Sequence, residues 1–143
     1  GDAGMRTILA LALLAAPAGA QTPRFAEETA TAGLDATYAG DWQYMVGGGA
    51  AVFDCDADGR AEVFVAGGEG VSALFLNRSA AGGALAFERA RSSGLERDAV
   101  TGAYPLDVDS DSVLDLIVLR VGENLAMRGL GGCRFERANE AWG

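Results

Sequence analysis

The chain has 143 residues, half of them hydrophobic, and carries 20 Asp and Glu against 11 Lys and Arg with no histidine. That length holds one small domain, and a net charge of −9 excludes nucleic acid as an expected partner, because phosphate binding needs a basic face. The lack of histidine excludes a Ser-His-Asp triad, a Cys-His dyad and a histidine-bound zinc site within this chain.

The chain opens with an export pattern. Met5 and Arg6 precede an apolar run from Ile8 to Ala16, followed by Pro17 and Ala18-Gly19-Ala20. A basic residue, a short apolar core and a small-x-small end predict a signal peptide over 1–20, with cleavage before Gln21 and an overhang upstream of Met5. The run is too short to span a bilayer, and no cysteine stands at the cleavage point for lipid attachment. The mature protein is therefore expected outside the cytoplasm, secreted or periplasmic, with no stable membrane span. Residues 21–143 form the second predicted region.

That region begins with FAEETATAGL from Phe25, which allows a partial helix over 24–34. Trp42 and Tyr44 follow; with Trp142 they could stack on a sugar, although packing is the expected fate of each. Next comes VFDCDADGRAEVFV, Val52 to Val65, with four carboxylates in nine residues. Like charges at about 4 Å repel by roughly 4 kcal/mol per pair at an effective dielectric of about 20, so something must offset them. Composition and alternation predict strands at Glu62–Ala66, Ala73–Leu76 and Leu85–Arg89, separated by turns. Asn77-Arg78-Ser79 fits a glycosylation sequon, a pattern common by chance. A second acidic stretch starts at Asp107, and Leu114–Leu119 reads as a strand buried on both faces.

The chain repeats itself. Phe-Glu-Arg-Ala occurs at 87–90 and again at 135–138, with a looser copy from Phe25. GAAVFDCDADGRAEVFV from Gly49 resembles GAYPLDVDSDSVLDLIV from Gly102. The unit is about 50 residues: Gly-Ala lead-in, acidic loop, strand, second strand, turn, Phe strand, Gly-Leu turn. Several short strands in a repeat of this length mark a β-propeller blade.

Within each unit the acids are spaced for a hard cation. Loop 1 places Asp54, Asp56, Asp58 and Glu62 at positions 1, 3, 5 and 9, with Gly59 at 6 and the Arg60 carbonyl at 7. Alternate acids turn oxygens inward when the chain coils, and six or so oxygens suit Ca²⁺ better than Mg²⁺ or Zn²⁺. Loop 2 repeats the pattern with Asp107, Asp109, Asp111 and Asp115 and the Val113 carbonyl, but has Ser112 at position 6. A non-glycine residue held left-handed costs roughly 1–2 kcal/mol, so loop 2 is expected to bind more weakly. Position 12 is Val65 or Val118, where an EF-hand needs a bidentate acid, so these are expected to be calcium loops joining strands, with solvated acidic turns holding no ion as the alternative. Cys55 is expected to point outward from its loop and not to ligate. Whether it pairs with Cys133 or both remain thiols is open at this stage.

These features resemble the FG-GAP or VCBS repeat of integrin α-subunit-type propellers, and most closely bacterial exported proteins of the cartilage-acidic-protein/UnbV kind. The matching positions are Phe25, Thr29, Ala32, Gly33 and Leu34, then Asp54, Asp56, Asp58 and Gly59, then Asp107, Asp109, Asp111, Asp115 and Leu116. The resemblance implies an all-β fold of about two to two and a half propeller blades, stabilised by Ca²⁺. It implies adhesion, ligand binding or scaffolding toward a protein or glycan; no catalysis is expected, because nothing beside the acidic loops supplies a nucleophile or base. The alternatives are the non-catalytic propeller part of an extracellular hydrolase, or a truncated copy without function. Two blades and a fraction do not close a ring of four to eight, so the chain is expected to be truncated or to assemble from several copies. Open strand edges favour self-association.

Overall fold

A computed structural model describes residues 22–143; the expected export signal at 1–20 and the cleavage point before Gln21 lie outside the described residues. Eight strands follow one another: β1 Ala50–Phe53, β2 Glu62–Val65, β3 Ala73–Asn77, β4 Phe87–Arg89, β5 Val100–Leu106, β6 Asp115–Arg120, β7 Leu125–Gly129 and β8 Phe135–Arg137. They form two four-stranded meanders, β1-β2-β3-β4 and β5-β6-β7-β8, antiparallel throughout. The protein is all-β, two blades of an incomplete propeller.

The expected strands are present with small shifts in their ends. The Gly-Ala lead-in is the main addition: in both copies it is itself a strand, β1 or β5, paired across the acidic loop with the strand that follows. Each acidic loop is therefore the connection of a hairpin. β4 starts at Phe87 rather than Leu85, with the Arg78 N–H still donating to the Ala86 carbonyl at 2.7 Å just ahead of it.

Period-two alternation gives every strand two faces, and residues directly opposite in the ladder share one. Ala51 lies opposite Phe64, and Phe53 opposite Glu62. In the second blade Ala103 lies opposite Val118, and Pro105 opposite Leu116. The buried cluster joins Ala51, Phe53 and Phe64 to Ala103, Leu116, Val118 and Met127, so the core is the seam between the two blades. Phe53 meets Phe135 edge to face across this seam, with ring centroids 6.1 Å apart.

Other contacts lock the seam. Gly49 N–H donates to the Thr101 carbonyl, and Gly68 N–H to the Val100 carbonyl. Cys55 and Cys133 form a disulfide, closing a separation of 78 residues and tying loop 1 of the first blade to the turn before β8 of the second. Cys55 thus points away from its acidic coil, as expected, but into the core rather than toward solvent.

The Phe-to-Gly segments are a second kind of joint. Helix α1, Thr29–Ala32, ends at Gly33 with φ 80°, and helix α2, Asn139–Trp142, ends at Gly143 with φ 97°. In the middle copy Gly94 has φ 87°. A Cβ on Gly33 would stand 2.6 Å from the Phe87 carbonyl oxygen, and one on Gly94 would stand 2.1 Å from that of Phe135. The tail before each blade is therefore pressed backbone to backbone onto that blade's outer strand, which only glycine allows.

Candidate metal centres

The two acidic loops have the same backbone. In loop 1 the N–H groups of Asp58 and Gly59 donate to the Asp54 carboxylate at 3.2 and 2.9 Å. In loop 2 the N–H groups of Asp111 and Ser112 donate to Asp107, both at 3.1 Å. Position 7 then closes on position 5: Arg60 N–H to Asp58 at 2.9 Å, Val113 N–H to Asp111 at 2.8 Å. Position 6 is left-handed in both, Gly59 at φ 82° and Ser112 at φ 69°. Position 4 is left-handed too, Ala57 at φ 59° and Ser110 at φ 61°. The spacing of the acids gave no sign of that second turn.

Position 9 has a job apart from the rim of the coil. Glu62 is buried and accepts Cys55 N–H at 3.0 Å and Asn77 N–H at 3.2 Å. Asp115, also buried, accepts Val108 N–H and Gly129 N–H, both at 2.8 Å. In each blade this carboxylate fastens position 2 of the loop to the third strand. Burial pushes the Glu62 carboxyl above the usual carboxylate range, against the pull of its two N–H donors, and the charges of Asp56 and Asp58 add to the rise.

The carboxylate oxygens gather in two groups. Asp54, Asp56 and Asp58 bring oxygens within 4.8 Å of one another, and so do Asp107, Asp109 and Asp115. Glu62 is not in the first group and Asp111 is not in the second. Cys55, Glu62 and Cys133 also converge, but both sulfurs are used in the disulfide, so no thiolate is available there. One guanidinium reaches each acidic group: Arg60 pairs with Asp58, and Arg128 with Asp109 at 3.0 Å. Three carboxylates and one guanidinium leave each cluster with a formal charge of −2. The donors are all hard oxygens, crowded and undercompensated, and that set fits a divalent cation.

The Arg60 backbone N–H bond to Asp58, ahead of its side-chain pairing, holds the Asp58 carboxyl below the usual range. Arg128 also lies over the Trp142 ring, 5.1 Å from its centroid. Of the other aromatics, Tyr44 is buried as expected, whereas Trp42 is exposed. The sequon residue Asn77 has its amide committed, donating to the Ala61 carbonyl at 2.9 Å and accepting Ser79 N–H at 2.9 Å. An open groove of about 600 Å³ runs between the inner strands, bordered by Gly47–Ala50 and Thr101–Tyr104. Among the described residues no helix is long and apolar enough to cross a membrane.

Comparison with known families matches residues 54–118 to the FG-GAP-like repeat. Comparisons with curated proteins and with solved structures give no match. FG-GAP repeats suggest a propeller-like ligand-binding or adhesion module. The match runs from the first carboxylate of loop 1 to the strand behind loop 2, so both acidic loops lie in a segment similar to the FG-GAP-like repeat.

Proposed function

We propose that the chain is an exported calcium-binding module with an adhesive, ligand-binding or scaffolding role, in which the metal is structural. The observation that carries the reading is the pair of equally folded acidic loops, each with three converging carboxylates and one arginine. Asp54, Asp56 and Asp58 would hold one ion, and Asp107, Asp109 and Asp115 the other. The carbonyls of Arg60 and Val113 are further candidate donors. Bound calcium supplies charge neutralisation and a cross-link within each loop.

The chain's own residues do the rest. Asp54 and Asp107 gather the N–H groups that shape each coil. Glu62 and Asp115 hold the coil to its blade. The Cys55–Cys133 disulfide supports export to an oxidising compartment, in line with the signal pattern at 1–20. A kinship with the cartilage-acidic-protein/UnbV kind belongs to the same proposal.

The test is a melting curve with and without EGTA, joined to calcium titration of Asp54→Ala and Asp107→Ala. Chelator is expected to lower the midpoint at neutral pH, with the effect fading as the carboxylates protonate. Loop 1, read in Asp107→Ala, is expected to bind more tightly than loop 2. Unchanged melting in EGTA with no calcium uptake would overturn the reading. Turnover of glycans or phosphoesters by the chain alone would favour a hydrolase part instead.

A further inference from the structure

The repeat lets the faces of the two blades be compared position by position. On the face of blade 1 that meets blade 2, Ala51 and Phe53 are 5% exposed and Phe64 is fully buried. Their counterparts on the far face of blade 2 are Tyr104, Leu106 and Ile117, placed by the same ladder register. Tyr104 is 60% and Leu106 50% exposed. The other pair of faces shows the converse. Leu116 and Val118 of blade 2 are fully buried under blade 1, while their counterparts Val63 and Val65 are only half-buried, and Val52 beside them is 62% exposed.

Among the described residues there is therefore one finished seam and two uncovered halves of a seam. One half has the form of the face that blade 1 offers, the other the form of the face that blade 2 offers; the inner strands of both are apolar, while the outer strands add Arg128 and Glu136 to one and Arg89 to the other. We propose that the open face of blade 2 docks on the open face of blade 1 in a second copy of this chain, head to tail, repeating the seam found within it. A second copy fits because the complement is present on the same chain and continues an interface the chain already makes. Such a contact uses two different patches, so it closes into a ring or extends.

The outer strand of blade 1 already carries the turn at Gly33, pressed against the Phe87 carbonyl. Helix α2 and Gly143 of an arriving copy have the same form as α1 and Gly33. The two turns are alternative occupants of that spot, and one yields when copies join.

Val52→Glu spoils the receiving face and leaves the arriving face intact; Leu106→Glu does the reverse. Both sites are at the surface, and circular dichroism checks that each variant keeps the wild-type fold. In light scattering, the wild-type chain is expected to exceed the monomer mass, and each variant alone is expected to be monomeric. A mixture of the two variants should give a dimer and nothing larger, because only one intact junction can form. A monomeric wild type, an unchanged mass in either variant, or a mixture that stays monomeric would each overturn the proposal.

Discussion

Ser112 takes the place of Gly59, and its backbone is held left-handed at φ 69° without the freedom of glycine. Ser112→Gly should therefore stabilise the protein by about 1 kcal/mol in chemical denaturation and tighten calcium at loop 2. Glu96 gives a pH handle. Burial alone would raise its carboxyl, but bonds from the Ser93 N–H and hydroxyl and from the Gly94 N–H together bring it below its ordinary 4.5. A group lowered in this way contributes stability that is fully present above its ordinary value and is lost as pH falls through the lowered one. Glu96→Gln should be less stable at neutral pH by about 1–2 kcal/mol and should lose less on acidification, read from melting midpoints between neutral and acid pH. The sequence showed an acid at position 9 of each loop but not which way it turned. Glu62 looked like a rim ligand; its pairing opposite Phe53 turns it onto the buried face.

At the scale of elements, β2, β6 and the Phe strands were legible because β-rich runs stood between turn residues. β1 and β5 were read only as a lead-in. Glycines crowd the start of the first, and Pro105 sits inside the second, where it is tolerated because β5 is the edge of its sheet. The Gly-Leu turns were visible as a repeated motif, but sequence could not say what the glycine touches. The contact can be weighed by two substitutions. Gly94→Ala drives a Cβ into the Phe135 carbonyl, whereas Gly59→Ala meets nothing within 4 Å and suffers only its left-handed φ. Gly94→Ala is expected to cost about 3 kcal/mol or more and Gly59→Ala about 1 kcal/mol, measured by urea denaturation.

The whole molecule is held at the seam, and the disulfide is its covalent part. The two cysteines could not be paired from sequence, because nothing in their spacing sets loop 1 beside the turn before β8; the packing of one blade on the next does. Replacing both with serine removes a cross-link over 78 residues and is expected to lower stability by about 2–5 kcal/mol, seen as an earlier urea midpoint.

The two seats at Gly33 and Gly94 also set a pitch for the polypeptide. Each marks where one unit hands over to the next, so the chain lengthens in whole steps. Tandem duplication of residues 34–94 would add a complete blade and leave a glycine against every carbonyl that needs one. A duplication out of step with that pitch would set a bulky residue, or none, at one of those seats.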